Sequence, residues 1–417
     1  MSLFYVDPLK DKRITWEELI NDLNNKAEVE KYCYNTDFYE IFKIFIASLL
    51  NEGTLTVLDG ELTTQEIKNL IGEKSGEEIN EKEARKYSEI KDKEDLIERT
   101  RKTKGGQIVL FTSGTTGKPK AVKHTVENLS RAAIIKEHMQ ADVWGFAYHP
   151  THIAGIQVLL QALYNGNTIV RLFGLSTNEI ESVLTENRVT NISATPTFLR
   201  LFLSNGQQIS TVRRITSGGE KMDPSLMERL EKKFPNAKFR NIYATTEFGT
   251  LFKSSTEGFQ IEDELKEWVR VEEGELLVHR SLLGEFETSL LSGEWYKTGD
   301  IVEILHQNPF TIKIVGRKNE MVNVGGMKVN ITEVEEVIRK VCDVNYVRVY
   351  AKQNSVTGNI LCCELSLNSK SKKESDIRST LSKHLQEYKI PRIIKFIEAV
   401  DKSDLTRTMK INRVKTS

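Results

Sequence analysis

The sequence predicts an α/β protein: a large N-terminal part built of layered α/β subdomains with a small β-rich subdomain, followed by a small α+β unit. Three observations carry this. Between residues 142 and 245, strand-like runs alternate with helical patterns and glycine-containing turns. From 258 to 315 the pattern changes to short alternating strands. Beyond 320, an extended run, a turn and a helix precede two strands, a helix and a last strand, a unit of roughly the smallest size that folds well alone.

With 417 residues there is length for two or three domains and a large core. Charge is balanced, 59 basic against 59 acidic residues, so nothing favours a nucleic-acid or polyanion partner. Cys33, Cys342, Cys362 and Cys363 lack metal-ligand spacing and read as core thiols of a reducing compartment; the adjacent pair should point to opposite faces of a strand. The start of the chain has no basic region followed by an apolar one, and the most apolar run, IFKIFIASLL, is interrupted by Lys43. A soluble cytoplasmic protein with no membrane span is expected.

Taken in order, Phe38, Ile41, Phe42, Phe45 and Leu49 predict an amphipathic helix over 37–50, and TLTVLDG a strand and turn. Residues 61–106, dense in Glu and Lys, read as solvated helix and loop. The strand-like QIVLF then enters LFTSGTTGKPKAVKHT, residues 110–125, which reads as a loop between that strand and a helix over 126–140 capped by Thr125. Thr112, Ser113, Gly114, Thr115, Thr116, Gly117, Lys118 and Lys120 crowd into it. Glycines let the backbone approach an anion, N–H and O–H groups donate to phosphate oxygens, and lysine adds charge. This is a nucleoside triphosphate loop. It is not a P-loop: Gly114 and Gly117 are too close, and Pro119 follows Lys118 where Ser or Thr is needed.

Three α/β units follow. In the first, DVWGFAYHPTHIAGIQVLLQALYNGNTIVRLF, His152 stands at a strand-to-helix turn. The second ends in Ser217-Gly218-Gly219-Glu220, where glycines at a strand's carboxyl end allow close approach by a flat ligand. The third leads from strand FRNIYAT into Tyr243-Ala244-Thr245-Thr246-Glu247-Phe248-Gly249. WVRVEEGELLVHR, EFETSLL, WYKTGDIVEIL and FTIKIVG are read as the strands of the β-rich part. In the closing unit a Gly325-Gly326 turn precedes a helix started by a capping box, Thr332 with Glu335, and further helix and strand are read over 374–388 and 392–400.

These stretches resemble the signatures of the adenylate-forming enzymes: acyl- and aryl-CoA synthetases, peptide-synthetase adenylation domains and luciferases. The 110–125 stretch resembles their phosphate loop, with Ala121 for a glycine. Residues 243–249 resemble Y-G-x-T-E-x-G, with Ala244 for the first glycine. Tyr296-Lys297-Thr298-Gly299-Asp300 resembles Y-R-T-G-D, Gly316-Arg317-Lys318-Asn319 resembles G-R-x-D/K, and the closing Thr406-Arg407-Thr408-Met409-Lys410 resembles T-x-T-G-K. The resemblance implies an N-terminal domain over 1–316 and a mobile C-terminal domain over 317–417, hinged near Asn319. It implies that Tyr243 stacks on adenine beside Gly218, Gly219 and Glu220, that Thr246 donates to the α-phosphate, and that Glu247 holds Mg²⁺. It implies ribose contacts from Asp300 and Arg317, a catalytic Lys410, and a thiol tunnel lined by Gly325 and Gly326. Flanking the motifs, His152, Thr195, Ser217 and Thr245 are the acid-pocket candidates. No aspartate that could hold a substrate ammonium lies between Thr151 and Gln157, which argues against an α-amino acid.

The expected activity is ATP- and Mg²⁺-dependent conversion of a carboxylic acid to acyl-AMP, then to a CoA thioester. Delivery to the phosphopantetheine of an acyl carrier protein is the alternative, and a non-catalytic nucleotide-binding relative is the third reading.

Overall fold

The computed structural model describes residues 2–72, 79–112, 120–203, 207–220, 222, 224–256, 258–288, 290–324, 327–354, 358–367 and 373–397, the side chains of Asn319, Lys328, Asn354 and Gly358 excepted. Among them, a central sheet of eight strands runs in the spatial order Gly249–Ser254, Lys238–Thr245, Arg214–Gly218, Asn191–Ala194, Val143–Phe146, Thr168–Arg171, Leu3–Asp7 and Lys12–Thr15. The inner pairs are parallel and the two edge pairs antiparallel.

Successive strand residues point to opposite faces. Tyr5, Phe146 and Ile169 therefore enter one apolar core, while their neighbours Val6, Ala147 and Val170 enter another. Both faces are covered by helices, which is why these strands read as continuous apolar runs. On the first face lies the helix Phe38–Asn51, sandwiched between this sheet and a second sheet of four strands, Tyr32–Asn35, Thr54–Asp59, Gln107–Thr112 and Lys120–Thr125. It is buried on nearly every side, and Phe42 meets Phe4, Tyr5 and Phe146 edge-on. Asp37 caps it by accepting from the Glu40 N–H. The helices Thr177–Glu186, Pro196–Phe202 and Pro224–Lys233 cover the other face.

A third, antiparallel sheet carries Phe259–Gln260, Phe310–Arg317, Trp295–Gln307, Glu275–His279 and Val269–Glu272, as expected of the β-rich part. The closing unit has the hairpin Met321–Val324 with Met327–Asn330, the helix Ile331–Val341, and a sheet of Val344–Asn354, Gly358–Leu367 and Ile393–Phe396 around its own core. All four cysteines are buried and free. No helix among the described residues is long and apolar enough to cross a membrane.

Several expectations change. Residues 3–24 form two strands and the helix Trp16–Asn24, held by a Thr15–Glu18 capping box. The 61–106 segment is not merely solvated: Tyr87, Ile90, Leu96 and Ile97 are core residues, and the helix Lys93–Lys102 docks through the last two. Thr125 caps its helix by accepting from the Asn128 N–H, but the helix stops at Ser130 rather than continuing to 140. Beyond it, Gln161 and Asn165 satisfy the backbone of Ile134 and Lys136, replacing helical hydrogen bonds. EFETSLL is mostly not a strand; it contributes the bridge from Glu285 to Lys123 and the start of Leu291–Ser292. Thr332 is not a cap. Asn330 caps the helix, Thr332 donates to Glu320, and Glu335 instead accepts from the Val349 N–H. The helix begun at Glu374 ends at Leu381, and the last described strand stops at Phe396.

Candidate active site

The expected phosphate loop joins two strands, not a strand and a helix. Gln107–Thr112 and Lys120–Thr125 pair antiparallel, with Thr112 opposite Lys120. Alternation in KAVKHT, which buries Val122 and His124, makes it a strand. Ser113, Gly114, Thr115, Thr116, Gly117 and Lys118 lie outside the described residues, but their two flanks are held face to face. The Lys120 ammonium lies 3.3 Å from the Phe286 ring centroid and 5.7 Å from that of Tyr296. Burial pushes its pKa down, and nearby Glu247 partly offsets this. Lys120 and Glu247, far apart in sequence, thus share one electrostatic site. Burial, and then Glu247, push the Tyr296 phenol up, with Arg317 opposing and Asp300 adding to the rise.

Thr246 and Glu247 sit in the tight turn between the antiparallel strands Lys238–Thr245 and Gly249–Ser254. Two groups hold that turn from the hairpin side. His124, 1% exposed, donates from Nε2 to the Thr246 carbonyl at 2.6 Å, since a carbonyl can only accept. Arg131 donates to the Phe248 carbonyl at 2.8 Å and the Thr250 carbonyl at 3.4 Å. From the β-rich side, the Gly284 N–H donates to the Glu247 carbonyl at 2.8 Å. Burial lowers the His124 pKa. The reading of the sequence missed His124. Its one signal was its place on the buried side of KAVKHT, two positions beyond Val122.

Asp300 is 2% exposed. It accepts from the Tyr243 hydroxyl at 2.5 Å and from Arg317 Nε at 2.8 Å. Burial, and then Asp300, push the Tyr243 phenol well up. The Tyr243 ring, expected to offer a face to adenine, stacks on Phe252 and packs against Phe248 and Phe259. One strand away, buried Glu275 accepts from the Gly299 N–H and pairs with Lys318. Asn319 follows in the short turn Lys318–Glu320.

The remaining candidates lie at the carboxyl edge of the central sheet. Val143–Phe146 connects through the helix Ile153–Tyr164 to a strand on one side, while its neighbour Asn191–Ala194 connects through Pro196–Phe202 to a strand on the other. Such a reversal opens a crevice where ligands bind in open α/β sheets. His152 and Thr195 begin the two helices at that point, and His152 lies 5.8 Å from His149, ring to ring. Thr195 accepts from the Phe198 N–H at 3.1 Å, and Glu220 from the Thr197 N–H at 2.9 Å; both are engaged in starting the same helix. Gly218 is tight, because a Cβ there would meet the Ile242 carbonyl oxygen at 3.0 Å. Gly219 has φ +84°, which favours glycine. The buried hydroxyl oxygens of Ser217 and Thr245 have no hydrogen-bond partner among the described residues. Buried polar atoms are ordinarily paired, so these two suit the polar atoms of a bound ligand.

Among the described residues no three or more His, Cys, Asp or Glu side chains form a metal-holding cluster. A lone carboxylate such as Glu247 suits Mg²⁺, which is usually bound through one or two carboxylates plus substrate phosphates and water. Gly325, Gly326 and Lys410 lie outside the described residues.

The profile of the AMP-binding enzyme family matches residues 45–274, and that of the AMP-binding enzyme C-terminal domain matches residues 333–410. The 2-succinylbenzoate–CoA ligase of Staphylococcus aureus strain JH9 is 26% identical over 336 residues, covering 74% of this chain and 66% of the ligase. The strain Newman ligase matches with the same identity and coverage. Thus the chain spans just under two thirds of the length of these relatives. Among solved structures, the o-succinylbenzoate CoA synthetase of Bacillus subtilis in complex with its acyl-adenylate intermediate superposes with a TM-score of 0.72 at 19% identity, covering 99% of this chain and 94% of that one. ATP-bound MatB of Rhodopseudomonas palustris gives 0.72 at 15% identity, covering 98% and 94%. The fold is therefore theirs.

Proposed function

Since the chain belongs to the AMP-binding enzyme family, we propose that it uses ATP to convert a carboxylic acid to acyl-AMP, releasing pyrophosphate, and then passes the acyl group to the thiol of CoA. The observation that carries this is the cluster of Tyr243, Asp300 and Arg317, with Lys120 near enough to Glu247 to feel its charge. That residues from distant parts of the chain come together here supports a nucleotide site.

A carboxylate is a poor electrophile toward a thiol, and AMP supplies the leaving group. The carboxylate oxygen attacks the α-phosphorus in line, an O–P bond forms, and the bond to pyrophosphate breaks. Charge grows on the leaving and non-bridging oxygens, so fixed cations and donors there lower the barrier. In this reading Thr112, Ser113, Thr115, Thr116, Lys118 and Lys120 hold the β- and γ-phosphates, and Thr246 donates to the α-phosphate. Glu247 would hold Mg²⁺, which when bound neutralises phosphate charge. Asp300 and Arg317 hold the ribose, Gly218, Gly219 and Glu220 border the adenine, and Lys410 bridges carboxylate and α-phosphate. The domain 317–417 then turns about Asn319, withdrawing Lys410 and bringing Gly325 and Gly326 to the thiol's path.

The unpartnered hydroxyls of Ser217 and Thr245 favour an acid with a polar substituent. Relatives of this chain are ligases of 2-succinylbenzoate, so that aromatic acid stands first in a panel. The test is acid-dependent exchange of labelled pyrophosphate into ATP across such a panel. Exchange with at least one acid is expected, and none across a broad panel overturns the reading. With the acid known, free CoA and a holo carrier protein compared as acceptors decide the thiol.

A further inference from the structure

His124 has no part in the chemistry above, yet it is the most buried polar group between the hairpin and the Thr246–Glu247 turn. We infer that His124 is a positioning residue: together with Arg131 it clamps the turn Thr245–Gly249 to the phosphate hairpin and so sets where Glu247 stands relative to Lys120. This rests on the AMP-forming reading of the site.

The clamp has a regular geometry. His124 takes the carbonyl of residue 246, and Arg131 takes those of 248 and 250. Every second carbonyl is thus drawn toward the hairpin. The Glu247 carbonyl, between them, accepts from the Gly284 N–H, which lies beside the His124 ring. With the successive carbonyls of 246, 247 and 248 all held, the backbone that carries the acidic side chain has little freedom. The imidazole is itself fixed. Arg131 donates to Asn128 Oδ1 at 3.0 Å, which turns the Asn128 amide nitrogen toward His124 Nδ1 at 3.3 Å and toward the Leu282 carbonyl at 3.4 Å. Nδ1 is therefore the acceptor and Nε2 the donor. Gly284 closes the ring in: a Cβ there would lie 2.8 Å from His124 Cε1 and 2.9 Å from Nδ1. A histidine that only filled space would need neither a set tautomer nor a partner on the turn that carries Glu247.

The test measures calorimetric ATP binding, with and without Mg²⁺, for wild type, His124→Leu and His124→Gln. Glutamine keeps an N–H donor at about the reach of Nε2. His124→Leu is expected to lose about tenfold of the Mg²⁺-dependent tightening of ATP, the order one buried hydrogen bond supplies. ATP binding without Mg²⁺ should change less than about twofold, and His124→Gln should recover most of the loss. Should His124→Leu fail to fold, Gly284→Ala, which crowds the ring without removing it, is expected to shift the Mg²⁺ dependence the same way. Equal weakening with and without Mg²⁺, or no weakening, overturns the positioning role while leaving the AMP-forming reading intact. A wild type that binds no ATP even with Mg²⁺ overturns both.

Discussion

The Tyr243 hydroxyl donates to the Asp300 carboxylate at 2.5 Å, a polar link between the central sheet and the β-rich sheet within their shared apolar core. Asp300 also accepts from Arg317 at 2.8 Å, so one buried carboxylate anchors three segments. Tyr243→Phe keeps the ring against Phe252 but strips a buried carboxylate of a donor. It should lower unfolding stability by about 1–3 kcal/mol, measured by urea denaturation. A loss below about 0.5 kcal/mol would show that the contact does not tie the sheets together.

Asp300→Asn tests the ribose assignment. The amide keeps the shape but loses the charge that faces Arg317 and two of the acceptor positions. The KM for ATP should rise at least tenfold while the KM for the acid changes little. Equal changes in both would remove Asp300 from the nucleotide site.

The last lysine motif predicts a split phenotype. Lys410→Ala should cripple formation of the acyl-adenylate yet spare thioester formation from supplied acyl-adenylate. Equal loss of both half-reactions would show the assignment to be wrong.

Asp37 makes a pH prediction. Burial tends to raise its pKa, but the hydrogen bond from Lys10 and the bond from the Glu40 N–H outweigh this, leaving it below the ordinary 3.8. A carboxylate with a depressed folded-state pKa contributes stability that is complete above the unfolded value and fades as pH falls through the folded one. Asp37→Ala should therefore cost about 1 kcal/mol at neutral pH through the lost cap. Its difference from wild type should shrink in the window below about pH 4. A constant difference down to pH 2 would show that the charge is not what Asp37 contributes.

Much of this was legible in the sequence for local reasons. The helix Phe38–Asn51 announces itself by apolar spacing and an aspartate cap, and the parallel strands by short apolar runs between glycine turns. Tyr243, Asp300 and Arg317 stood out in the sequence through the motifs they belong to, and the fold brings the three together. What stayed hidden depends on tertiary partners. KAVKHT is too short for its alternation to outweigh the helical pattern after it, and only pairing with Gln107–Thr112 makes it a strand. The helix from Val126 ends at Ser130 because Gln161 and Asn165, some 30 residues on, capture its continuation. His124 is invisible for the same reason: its acceptor lies 122 residues away. Asp300 reads as a free acceptor in the sequence, whereas the fold gives it two protein donors.

Arg317 and Lys318 are neighbours in sequence, and each is moored to a different buried carboxylate, Asp300 and Glu275, on adjacent strands of one sheet. Two moorings on successive residues resist twisting as one cannot, since a single ion pair can swivel about its own axis. For the rotation about Asn319 proposed above, the backbone entering that residue would thereby be a fixed bearing, a rigid mount at the sheet against which the closing unit turns.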